Sequence, residues 1–153
     1  MIQRIQTVYL FIIFGLSISL FAVPLAKFWT TDYHSFQFDV YGIRELTLPN
    51  QPLLIKGIPL LALNLLSAVL SLYTVFKFKN RKLQMKMTTF IAFINIALLG
   101  LIVYYLKVVI VDNLLLGYYF PILFPALSVI LAWLGYRGIK HDDKLVKSYD
   151  RIR

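Results

Sequence analysis

The chain has 153 residues, 59% of them hydrophobic and 16% aromatic, with a formal net charge of +9. A mean hydropathy of +0.74 places it above the soluble range, in which about half the residues are apolar, and excludes an ordinary water-soluble domain. The lack of cysteine removes disulfides, thiolate zinc sites and thiol nucleophiles together, and the cations lie at the ends of apolar runs rather than on a basic domain, which argues against nucleic acid as a partner.

Four apolar runs each have about the 20 residues that an α-helix needs to cross a hydrocarbon core of roughly 30 Å. The first, 7–26, follows a short head carrying Arg4. It is too long for the apolar core of a secretory signal, and Pro24 spoils the small-residue pattern ahead of Lys27, so it reads as an uncleaved span.

The loop 27–57 alternates in its middle: Phe36, Phe38 and Val40 on one side, Ser35, Gln37, Asp39 and Tyr41 on the other. A period of two predicts strands. Gly42 interrupts the pattern, and Leu46 and Leu48 restart it until Pro49, Asn50 and Pro52. A small β-hairpin is expected, its apolar face resting on the helix ends because a lone hairpin is marginal in water.

The second span, 58–76, opens with Pro59 in its first turn, where a missing N–H costs little. The densest basic cluster follows: Lys77, Lys79, Arg81, Lys82 and Lys86. The third span, 87–106, leads into a short link with Lys107, Asp112 and Asn113, and the fourth, 118–136, has Pro121 and Pro125 in its first two turns. Pro125 is expected to bend or delay the regular helix.

Orientation follows from the cations. The head, the loop between spans two and three, and the tail 137–153 hold twelve Lys and Arg; Lys27, Arg44, Lys56 and Lys107 make four on the other side. The positive-inside rule then predicts cytoplasmic N- and C-termini, with the hairpin loop in the opposite compartment. Trp29, Tyr73, Tyr104, Tyr105, Tyr118, Tyr119, Trp133 and Tyr136 fall near span ends, as in an interfacial aromatic belt.

No Asp, Glu, Lys, Arg or His lies deep in any span, which argues against a proton- or ion-coupled carrier acting alone. Each span instead carries a small or polar stripe: Gly15, Ser19, Ala22 and Ala26; Asn64, Ser67, Ser71 and Thr74; Thr88, Ala92 and Asn95; Ser128, Ala132 and Gly135. Such stripes let helices approach closely and bond across the interface. At 1.5 Å rise per residue, Asn64 lies roughly 9 Å, Ser67 roughly 13 Å and Asn95 roughly 16 Å from the outer end. Asn95 should therefore meet Ser67 or Ser71. Asn64 then needs another partner, such as the Tyr104 hydroxyl, a water or a second protein. The competing reading is a polar binding path around Asn64, Ser67 and Asn95.

His34 has Asp32, Asp39 and Glu45 as its nearest acidic neighbours in sequence; one histidine with scattered carboxylates in a short loop is weak evidence for a hydrolytic or metal site, so it reads as a solvated loop residue. No catalytic, cofactor or metal-ligating motif emerges. In the tail, Lys140, Lys144, Lys147 and Arg151 form one cationic helical stripe, with Ile139, Leu145, Val146, Tyr149 and Ile152 opposite. An amphipathic cytoplasmic helix lying at anionic lipid headgroups is expected; a docking face for a protein partner uses the same pattern.

The opening Met1, Ile2, Gln3, Arg4, Ile5, Gln6, Thr7, Val8, Tyr9, Leu10 and the closing Ile139, Lys140, Asp142, Lys144, Leu145, Val146, Asp150, Arg151, Arg153 resemble a family of uncharacterised four-span membrane proteins from Bacteroidota. The resemblance covers the whole chain and implies a bacterial inner-membrane location, with no activity or functional residue attached. Claudin-like tetraspans are similar in placing strands after the first span. This chain lacks their cysteine pair and Trp-rich loop motif, so only architecture is comparable.

The expectation is one all-α membrane domain over residues 1–153: an antiparallel four-transmembrane-helix bundle with a small extracytoplasmic β-hairpin and a C-terminal amphipathic helix. Functionally it is a non-enzymatic inner-membrane protein, an accessory or scaffold subunit with the lipid bilayer and a membrane protein as partners. The alternative is a small transporter or channel component.

Overall fold

The computed structural model describes residues 5–29, 34–50, 52–78, 80–109, 115–118 and 120–150. Four helices, α1 (Ile5–Ala22), α2 (Ile58–Phe76), α3 (Arg81–Val109) and α4 (Phe124–Asp150), are accompanied by strands β1 (Ala26–Trp29), β2 (Ser35–Asp39), β3 (Gly42–Glu45), β4 (Leu53–Lys56) and β5 (Leu115–Tyr118). All four helices are long and apolar enough to cross a membrane. α1 packs against α2 and α4, and α3 packs against the same two.

Local chemistry sets the boundaries. α1 stops at Ala22 because Pro24 disfavours helical backbone in the residue before it. The chain passes directly into the sheet: Leu25 N–H donates to Phe38 O at 2.8 Å, and Ala26 is already in β1. The expected first span, 7–26, is therefore too long at its far end. The second is bounded as expected, since Pro59 sits at the first turn of α2 and the helix closes where Lys77 N–H bonds to Thr74 O. α3 begins earlier than the predicted 87, because the Asn80 carboxamide caps it by accepting from Leu83 N–H at 3.1 Å. Arg81, Lys82 and Lys86 are thereby helical. The predicted fourth span, 118–136, is corrected at both ends. Tyr118 ends β5, a 3-10 turn covers Phe120–Leu123, and α4 runs from Phe124 to Asp150 with Pro125 in its first turn.

The small hairpin is a five-stranded antiparallel sheet in the order β4-β3-β2-β1-β5. The β2–β3 turn matches the expected site, with Phe38 opposite Ile43 and Asp39 opposite Gly42. The Asp39 carboxylate accepts from the N–H groups of Tyr41 (2.9 Å) and Gly42 (3.1 Å), which holds the turn. β1, β4 and β5 lie outside that expectation. β5 is contributed by the supposed short link between spans three and four and pairs with β1, setting Phe28 opposite Leu116.

Register places Ala26, Phe28, Phe36, Phe38 and Ile43 on one face of the sheet. That face meets Leu20 of α1, Leu60 of α2, and Leu98, Ile102 and Tyr105 of α3 in a single buried cluster. Tyr105 stacks on Phe38 with ring centroids 6.0 Å apart and donates its hydroxyl to Lys56 O at 3.1 Å. It is thus a core residue rather than part of an interfacial belt, whereas Trp29, Tyr73, Tyr104 and Trp133 are exposed. A second join is made by glycines. Gly42 has φ +134° and a Cβ there would collide with Ile55 O; a Cβ on Gly57 would lie 2.7 Å from Gly42 N. Without side chains, the two backbones close to a 2.7 Å hydrogen bond from Gly57 N–H to Tyr41 O, at the entry to α2.

Candidate functional site

The helices place polarity inside and apolar bulk outside. Ser17, Asn64, Ser67, Ser71, Thr74, Gln84, Thr88, Asn95 and Ser128 are buried, while Phe11, Leu65, Val69, Phe90, Phe93, Val103 and Ile130 are about half exposed. A water-surrounded fold inverts this arrangement, because burying amides and hydroxyls costs free energy that only hydrogen bonds offset. In hydrocarbon the same groups have no better place than the interior.

The seam is built from three helices. Asn95 Nδ2 on α3 donates to Ser67 Oγ on α2 at 2.8 Å and to Ile91 O of its own helix at 2.9 Å. Ser17 Oγ of α1 donates to Ser67 Oγ at 3.4 Å, so the Ser67 hydroxyl joins all three helices. Asn64 Nδ2 donates to Ser17 O at 3.0 Å. The partner of Asn64 is therefore a backbone carbonyl of α1, not the Tyr104 hydroxyl, which is on a side chain 62% exposed. A carbonyl leaves no mark in a pattern of side chains, and so sequence reasoning missed it. Ser71 lies in the seam but its hydroxyl bonds back to Ala68 O at 2.9 Å, within α2. Asn64 Oδ1 is buried without a hydrogen-bond partner, as is Gln84 Oε1.

A second polar junction lies at the end away from the sheet and was not anticipated. Asp142 on α4 accepts from Gln6 Nε2 of α1 at 2.8 Å through its carboxylate, and its backbone oxygen accepts from the Arg81 guanidinium of α3 at 2.8 Å. Gly138 makes room for this approach: a Cβ there would come within 3.3 Å of Gln6 Oε1. Ile139 is fully buried. Hence α4 belongs to the helical core through Asp142, and Ile139 does not face lipid. Lys140 is exposed, its ammonium 5.9 Å from the Tyr136 ring centroid. The side chains of Lys144, Lys147 and Tyr149, and the whole of Arg151, lie outside the described residues.

At the sheet, His34 Nδ1 is 2.7 Å from Glu45 Oε1, whose side chain is only 12% exposed. His34 is therefore paired rather than a simply solvated loop residue. Among the described residues, no group of three His, Cys, Asp or Glu side chains converges as a metal site would require. The seam is composed of neutral amides and hydroxyls, which can bond helices together or to a neutral ligand but cannot supply a charged base or nucleophile pair.

Four apolar helices, three of them joined by an internal polar seam, and a sheet at one end are compatible with a multi-pass membrane protein. The chain belongs to the family described as a domain of unknown function, DUF4293, matching it over residues 2–152. No curated protein matches the chain.

Proposed function

We propose that the protein is a non-enzymatic bacterial inner-membrane protein, an antiparallel four-helix bundle with both termini cytoplasmic, acting as an accessory or scaffold subunit of a larger membrane assembly. The observation that carries the reading is the free edge of the sheet. β4 ends the strand order, and Leu53 and Leu54 on it are 41% and 53% exposed, beside exposed Leu48. Among the described residues no strand pairs with the outer side of β4, and its exposed leucines, with Lys56 at the strand end, make it a pairing site for another chain. Neutral polar groups throughout the seam support a structural role, and the twelve-to-four distribution of cations supports the orientation. The resemblance of the chain ends to a Bacteroidota family supports the bacterial inner membrane. Anionic lipid at the basic tail and a membrane-protein partner at the sheet edge complete the reading.

Purification from native membranes in mild detergent tests it. A stoichiometric partner lost on replacing Leu54 by Lys is the expected result; a monodisperse species with no partner overturns the accessory role. A reporter fused after Arg153 that works only outside the cytoplasm overturns the orientation.

One observation favours a second reading, a transport or channel component: the Asn64 carboxamide oxygen is buried with no hydrogen-bond partner among the described residues. A path for small polar solutes would use that acceptor, and Asn95→Leu would then change flux while leaving the fold intact.

A further inference from the structure

At the end away from the sheet, α3 and α4 border a groove of about 450 Å³ lined by Lys82, Met85, Lys86, Thr89 and Tyr136. Gly135 of α4 packs against Thr88 of α3 and Tyr9 of α1, and the next residues on the first two helices, Tyr136 and Thr89, line the groove.

The groove is graded along α3. Lys82, Lys86, Thr89 and Phe93 recur at spacings of four, three and four, so they share one stripe of the helix. Its first part is cationic and its last part is Phe93, 64% exposed. Neither Lys82 nor Lys86 has an ion-pair partner among the described residues. The Thr89 hydroxyl donates to Met85 O at 3.0 Å, within its own helix. That leaves the two ammonium groups, with Lys140 stationed over Tyr136, as the unspent polar chemistry of the mouth. Tyr73 with Lys77 on α2 and Trp133 with Arg137 on α4 are each in cation–π contact, aromatic–cation pairs of the kind enriched where headgroups meet hydrocarbon.

We propose that this groove binds one anionic glycerophospholipid, with its phosphate between Lys82 and Lys86 and an acyl chain lying over Met85, Thr89 and Phe93. The proposal rests on the transmembrane reading above and adds a defined site on α3 and α4, separate from the tail stripe. Charge alone would suit a free phosphate, but a cationic mouth whose helix face continues to exposed Phe93 fits a ligand with one anionic and one apolar end.

The test uses full-length protein in mild detergent, with bound lipid counted by native mass spectrometry during titration with phosphatidylglycerol or phosphatidylethanolamine. One phosphatidylglycerol should be retained in preference to phosphatidylethanolamine, and K82Q/K86Q should weaken it roughly thirtyfold, the scale of two surface lysines. K77Q/R137Q, which removes as many charges outside the groove, should retain it. T89F, which fills the groove and keeps both lysines, should lose it, and this remains informative if the double variant folds poorly. Equal binding of the two lipids, unchanged binding by K82Q/K86Q and T89F, or equal loss by the control overturns the site. So does inorganic phosphate that stabilises the protein as much as phosphatidylglycerol does. Carbonate extraction of wild-type membranes separates the premises: protein released by carbonate refutes the transmembrane reading itself, whereas protein retained while the lipid arms fail refutes the groove alone.

Discussion

Asn95→Leu is the substitution that weighs the polar seam most directly. Leucine keeps the branching and heavy-atom count of asparagine, with bulkier methyl ends, but removes both Nδ2 bonds, to Ser67 Oγ at 2.8 Å and to Ile91 O at 2.9 Å. The second bond lies within one helix and its carbonyl already serves the helical ladder, so its loss costs little. The first is interhelical, and such bonds in membrane helices average about 0.6 kcal/mol with a maximum of about 1.7. Ser67 keeps its contact with Ser17 at 3.4 Å, so no hydroxyl is stranded. The expected destabilisation is about 1 kcal/mol, close to a fivefold change in the folded-to-unfolded ratio. Steric trapping in bicelles can measure it, and a double-mutant cycle with Ser67→Ala isolates the pair. A coupling of about 0.5 kcal/mol or more is predicted. Zero coupling, or a variant more stable than wild type, would refute the assignment of this bond as a helix-to-helix tie.

Gly42→Ala should destabilise the sheet by about 2 kcal/mol or more, since Gly42 has φ +134° and the new methyl meets Ile55 O; faster amide exchange across Leu53–Lys56 would register it. Gly100→Ala on α3 meets nothing within 4 Å and should be neutral or raise the thermal midpoint, with roughly 0.5–1 kcal/mol gained from helix propensity. Tyr105→Phe keeps the stacking on Phe38 but loses the bond to Lys56 O. A cost of about 1 kcal/mol is expected by equilibrium unfolding, against about 3 or more for Tyr105→Ala, which empties the cluster.

Hydropathy marks where apolar chain runs, not which backbone it adopts, and this divides what was legible from what was not. α2 was readable end to end because Gly57, Pro59 and Lys77 punctuate it. Val23 to Ala26 stays apolar while leaving the helix for a strand, so the end of α1 was hidden. Leu115–Tyr118 was hidden for the same reason: short apolar runs do not distinguish strand from helix, and its partner β1 lies far away in the chain. In the seam, counting rise per residue narrows Asn95 to Ser67 or Ser71, and only the side-chain geometry, with Ser71 bonded back to its own helix, selects Ser67. Gln84 and Asp142 are hidden because they lie among charged residues beyond the apolar runs, where hydropathy gives no sign that α3 and α4 continue as packed helix.

The pairing of β1 with β5 ties two helical hairpins through main chain. β1 follows α1, whereas β5 joins α3 to α4, and Ala26 to Trp29 are zipped to Leu115 to Tyr118 over their whole length. During synthesis β1 presents an unsatisfied edge until the chain has been made through Tyr118, so the zipper closes only when the second hairpin has arrived. Once closed, it latches one helix pair to the other at that end. Rocking the two pairs apart, the motion by which alternating-access carriers expose a site first to one side and then to the other, requires this ladder to be torn open on every cycle.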